Sequence, residues 1–375
     1  MDASADEVMD IAREGHRAYE RGDYKEAFRL FRMAADQGDA DAQCNLGFMY
    51  EEGRGAGRDY DKACHWFKKA ADQGDARAQC NLGLMYEEGR GVGRDYGKAR
   101  HWYREAAAQG HARAQFNLGL MYEEGRGVGR DYDKACRLFR KAADQGYALA
   151  QCYMGTMYDE GRRVGQDYGK ACHWFRKAAD QGYALAQCYM GTMYDEGLGV
   201  GRDYAEACRW YRLAAGQGHS GAQCNLGVMY SKGRGVGQDY GKACHLFREA
   251  ADQGNARAQC NLGLMYEEGL GVGQDHVKAC RLYRLAADQG HAGAQCSLGR
   301  MYEEGCGVGR DYGKARHWYR LAADRGDARA QCSLGSMYDF GRGVERSATK
   351  ARYWYGLAAD QGNTHAQDAL CQMRP

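Results

Sequence analysis

The sequence predicts an all-α solenoid of antiparallel helix pairs with a 36-residue period. A stretch reading A-Q-C-N-L-G-L-M-Y-E-E-G-R-G-V-G-R-D-Y-G-K-A from Ala78 to Ala99 is written nine times at that spacing, and its glutamine recurs from Gln43 and Gln79 through to Gln367. The one proline, Pro375, lies at the end of the chain, as a nearly all-helical protein requires. The 54 glycines fall in the same few slots of each copy. Such self-similarity marks units that bury their apolar faces only against their neighbours.

Residues 39–74 show how one unit is built. Ala42, Leu46, Met49 and Tyr50 form the stripe of an amphipathic helix. Gly53, Gly55 and Gly57 break that helix and offer three places for left-handed backbone. Asp59 is placed to N-cap a second helix, in which Ala63, Phe67, Ala70 and Ala71 repeat the spacing beside Trp66. Gly74 stands where a glycine ends it. The small residues Gly47, Ala63 and Ala70 let the two helices, here A and B, approach closely.

The pattern A-Q-x-N-L-G-x-M-Y-x-x-G-x-G-V, followed by D-Y-x-K-A and W-[YF]-R-x-A-A-D-Q-G, closely resembles the Sel1-like repeat, a relative of the tetratricopeptide repeat. Gly15, Tyr19, Gly22, Ala27, Phe31 and Ala34 look instead like an ordinary tetratricopeptide unit, without the glycine-rich insertion. The expected organisation is an N-terminal cap over residues 1–38, nine repeats over 39–363 and a capping helix over 364–375. The resemblance implies a right-handed superhelix and a non-catalytic scaffold or adaptor for protein complexes.

Composition narrows the function further. Lys plus Arg number 52 against 50 Asp plus Glu, giving +2 with both signs in every unit. That balance disfavours nucleic acid as a partner. No apolar run reaches the roughly 18 residues of a membrane span, and the acidic start Met1–Val8 does not read as a secretory signal, so a cytoplasmic protein is expected. Gly91–Ala99 lacks a G-x4-G-K frame, and Ala99 stands where a P-loop needs Ser or Thr. No catalytic residue, cofactor or metal site is expected. His65, His101, His173, His245 and His317 follow the helix B cysteine slot directly, and adjacent helical residues diverge too far to share an ion.

Eight cysteines share one helix A slot, from Cys44 and Cys80 to Cys332, and six share one helix B slot, from Cys64 to Cys280. A Cys64–Cys80 bridge would span an axial offset of about 6 Å and an interaxial distance of about 8–10 Å, beyond the ~7 Å limit. Reduced thiols filling small packing slots are the expected state. A secreted, disulfide-bridged branch of the family places its cysteines symmetrically about the turn, where Ala71 and Gln79 stand here. An exported protein with disulfides or redox-active thiols remains the alternative function, and a structural spacer without a ligand is a further one.

Alignment with the family places Asp41, Cys44, Asn45, Phe48, Glu51 and Glu52 toward a concave groove. One of these slots varies within otherwise copied units: Phe48, Leu84, Leu120, Thr156, Thr192, Val228, Leu264, Arg300 and Ser336. The candidate partner-binding residues are therefore Phe48, Leu84 and Leu120, flanked by Asn45, Asn81 and Asn117. The acidic pairs Glu51–Glu52, Glu87–Glu88 and Glu123–Glu124 complete the set. A basic amphipathic helix or an extended protein or peptide segment is the expected partner.

Overall fold

The computed structural model describes residues 5–373. Among them are 21 helices and no strand. The first pair is α1 (Ala5–Glu20) and α2 (Tyr24–Asp36), and the second is α3 (Ala40–Glu52) and α4 (Tyr60–Asp72). Pairs then recur every 36 residues to α19 (Ala328–Phe340) and α20 (Ala348–Asp360), after which comes α21 (Thr364–Gln372). The described residues form two compact units that divide after residue 181, and within each a helix packs on those before and after it. This is an α-solenoid.

The local rules operate as the sequence implies. Asp59 accepts a hydrogen bond from the Lys62 amide at 3.0 Å, capping α4, and Gly74 follows the cap residue Gln73 with φ of 93°. Of the three turn glycines, Gly53 and Gly55 are left-handed, whereas Gly57 is not and a Cβ there would touch nothing. The link between α1 and α2 is three residues long, 21–23, against seven, 53–59, in the next pair.

The helix A glycine has a packing reason. At Gly83 an added Cβ would lie 2.7 Å from the Tyr103 ring, and Gly47 meets Phe67 in the same way. Each helix B therefore lays an aromatic ring directly on the backbone of helix A. Gly91, the counterpart of Gly55, abuts the Tyr60 carbonyl of the preceding repeat, so its turn leans on the start of an earlier helix.

One copy breaks the turn rule. Arg163 occupies the slot of Gly91 and has φ of 60°, the one positive value at a non-glycine among the described residues. Left-handed backbone costs such a residue about 1–2 kcal/mol. Arg163→Gly forfeits a stacking contact with the Tyr132 ring and a 3.8 Å approach to Glu123, yet should still raise stability by about 1 kcal/mol. Thermal melts of the two proteins check this.

Three helix A segments are capped by histidine. His111, His219 and His291 accept through Nδ1 from the amides of Ala114, Ala222 and Ala294 at 3.1–3.2 Å, which requires neutral rings. Burial holds all three below the ordinary histidine value. In the unfolded chain these rings protonate near pH 6.5. Their contribution is therefore complete above about pH 6.5 and is lost as the pH falls through the lower folded values. The triple variant His111→Asn, His219→Asn, His291→Asn keeps a capping side chain, as Asn255 does natively. It should show a smaller loss of melting temperature between pH 7.5 and 5.5 than the parent.

Candidate partner-binding face

Phe48, Leu84 and Leu120 are half-buried on successive A helices, and the Phe48 ring meets Phe67 edge-on at 5.2 Å. Phe48, Leu84, Asn81, Glu51 and Glu52 line one open depression of about 580 Å³, together with Arg54, Arg58, Tyr60, Arg90 and Arg113. Asn45 joins Phe48 and Glu52 in a smaller neighbouring depression with His16, Tyr19 and Phe31. Leu120, Asn117, Glu87, Glu88, Glu123 and Glu124 lie outside both.

Helix geometry explains the asparagines. Asn45 and Asn81 donate back to the carbonyls of Asp41 and Arg77 at 2.8 Å. Asn81 is buried, whereas Asn45 and Asn117 are half-buried. Cys44, expected to face the groove, is fully buried instead. Its slot points between helices because the stripe that starts at Ala42 is wider than the alignment implied.

The acidic pairs serve the chain itself. Glu87 accepts from the Tyr103 hydroxyl at 2.7 Å and from Arg126 of the following turn at 2.7 Å. Glu123 accepts from the Tyr153 hydroxyl and has Arg163 at 3.8 Å. Glu51 has Arg90 at 3.9 Å, and burial pushes its carboxyl upward against the pull of Arg90 and Arg113. The outer acids are paired as well: Glu52 with Arg54 at 2.9 Å, Glu88 with Arg90 at 2.6 Å, and Glu124 with Arg126.

This network also explains one member of the variable slot. Cys306 replaces the turn arginine that would answer Glu267, and Arg300 reaches both Glu267 and Glu304 in its place. Arg300 thus restores a charge lost six residues later. Where the turn residue is Leu270, the corresponding acid slot holds Ser231, so both partners are replaced together.

A second seam was missed in the sequence, although the recurring glutamines marked it. Gln79 is 5% exposed, donates to the Ala71 carbonyl at 3.2 Å and accepts from Gln109 at 2.9 Å. Gln43 stands in the same relation to Ala35 and Gln73. Buried amides need such partners, and here they stitch α3 and the helix that carries Gln79 to the B helices on either side.

All sixteen cysteines are free. Burial pushes Cys80 up to about 11 and Cys152 up to about 12, which removes the thiolate that reactivity needs. Cys208 and Cys244 donate to the carbonyls of Arg234 and Leu270 at 3.3 Å, beneath the next turn. Among the described residues no cluster of His, Cys, Asp or Glu could hold a metal ion, and no helix is long and apolar enough to cross a membrane.

The Sel1 repeat profile matches ten consecutive segments, 13–39, 40–75, 76–111, 112–147, 148–183, 184–219, 220–255, 256–291, 292–327 and 328–363. The chain belongs to the Sel1 repeat family. It is similar to c5321, a protective antigen of uropathogenic Escherichia coli strains with this repeat fold. The two share 33% identity over 98% of this chain and 87% of the other, with a TM-score of 0.65. A Sel1 repeat protein from Oxalobacter formigenes is 36% identical over 82% of this chain and 89% of its own, with a TM-score of 0.60. Comparison with curated proteins returned no significant match. Sel1 repeat proteins serve generally as protein-interaction scaffolds, and their fold is typically non-enzymatic.

Proposed function

We propose that this Sel1 repeat chain is a non-catalytic adaptor that binds a protein or peptide along the face bearing Phe48, Leu84 and Leu120. The observation that carries the reading is the open depression in which two variable-slot residues, Phe48 and Leu84, stand half-buried beside Asn81. Core slots keep to closely similar residues from copy to copy, as Phe67 and Tyr103 or Leu46 and Met154 do, whereas this slot runs from aromatic to charged and remains reachable. Apolar contact flanked by Asn45, Asn81 and Asn117 suits a helix or an extended segment. Because Glu51, Glu52, Glu87, Glu88, Glu123 and Glu124 are engaged by groups of the chain itself, attraction to a basic segment adds little support.

The test is affinity capture with mass spectrometry, comparing the parent with Leu84→Glu plus Leu120→Glu after circular dichroism has shown the variant folded. A partner held by the parent and lost by the variant supports the reading, and one held equally by both sinks it. The thiol-based alternative is tested separately. Sixteen thiols titrating in denaturant without reductant would remove stable disulfides from consideration.

A further inference from the structure

The charges around the Phe48–Leu84 depression do not balance. Two carboxylates, Glu51 and Glu52, face four guanidinium groups, Arg54, Arg58, Arg90 and Arg113. Arg54 and Arg90 are spent on Glu52, Glu88 and Glu51. Arg58 and Arg113 form no ion pair within 4 Å among the described residues, although Arg113 draws on the Glu51 carboxyl from further off.

Both lack the firmest anchor seen in their slots. In the preceding repeat Arg77 reaches back one period to Asp41. Arg113 reaches back to a position that holds Arg77, and among the described residues its one hydrogen bond is a 3.5 Å contact to Asn81, longer than the equivalent 3.0 Å bond from Arg257 to Asn225. In the slot of Arg58, Arg130 and Arg310 bond the last-turn carbonyls of Glu124 and Glu304, and Gln166, Gln238 and Gln274 bond those of Asp159, Ser231 and Glu267. Arg58, like Arg94, makes no such bond, and Arg58 lines the depression.

We infer that the segment bound here carries Asp or Glu side chains next to an apolar one, with Arg58 and Arg113 receiving the carboxylates while Phe48 and Leu84 receive the apolar group. This rests on the adaptor reading above and reverses the partner charge that the acidic pairs first implied. Guanidinium forks match carboxylates with two parallel hydrogen bonds, and the half-buried Arg113 is screened less than the exposed Arg58.

A random peptide library displayed on phage is selected on the immobilised full chain, and clones that also bind Leu84→Glu are subtracted. Synthetic copies of the enriched peptides are then titrated by fluorescence anisotropy. The expected result is enrichment of Asp and Glu beside Leu or Phe. Affinity should weaken about tenfold or more in the double variant Arg58→Gln, Arg113→Leu, and should fall as salt is raised. Both replacements are residues the chain carries in those slots elsewhere, Gln166 and Leu149, so the fold is retained, with melting temperature as the control. Enrichment of Lys and Arg, or acidic peptides indifferent to the double variant, overturns the inference while leaving the adaptor reading intact. No enrichment that depends on Leu84 overturns the adaptor reading itself.

Discussion

Gly83→Ala is expected to destabilise the protein by about 2–3 kcal/mol, although alanine is the better helix former. The new methyl would sit 2.7 Å from the Tyr103 ring. That ring cannot retreat: it is fully buried, and its hydroxyl is held by Glu87 at 2.7 Å. The helices must separate or the ring must leave its rotamer, and either cost exceeds the gain of about 1 kcal/mol in helix propensity. Gly241→Ala supplies the contrast, because its Cβ would meet only the Asp239 carboxylate at 3.4 Å on an exposed turn. It should be neutral or gain up to about 0.5–1 kcal/mol. Thermal denaturation of both variants decides the matter, and a stabilised Gly83→Ala would refute ring-on-backbone packing.

Gln79→Leu should cost about 1–3 kcal/mol by a different route. Leucine fits the space but leaves the Gln109 amide with the Gly74 carbonyl as its remaining acceptor, at 3.0 Å, and takes one donor from Ala71. The Ala71 carbonyl keeps the Gly74 amide at 3.0 Å, which holds the loss near that range. The damage falls on the junction between repeats rather than inside one. Hydrogen exchange should therefore quicken on both sides of residue 79 while amides near the N-terminal pair keep their protection. Equal acceleration everywhere would show that the glutamine acts on global stability alone.

What the sequence revealed and what it concealed divide along a physical line. The stripe through Ala42, Leu46 and Met49 and the caps at Asp59 and Gly74 are local properties, and each helix declares them by itself. The bonds from Gln109 to Gln79 and from Arg126 to Glu87 join residues 30 and 39 apart. Those offsets depend on how neighbouring repeats stack, which hydrophobic periodicity does not encode. The acidic pairs consequently read as an open, negative surface, whereas their arginines were already in the sequence one repeat further on. The link between Cys306 and Arg300 could have been found by asking which slots change together. The candidate face itself was legible only as a variable slot in a copied unit, and its charge only once the stacking was known.

The constancy of these offsets bears on how such a chain changes over generations. The glutamine bonds between repeats join positions 30 apart, so removing or adding 36 consecutive residues hands those glutamines a new partner in the equivalent slot. Tyr147–Glu160 and Tyr183–Glu196 are identical in sequence, the trace expected of unequal exchange between neighbouring gene segments. Length is thus a trait this protein can alter one repeat at a time while keeping its glutamine seam, and with it the number of variable slots available to meet a partner.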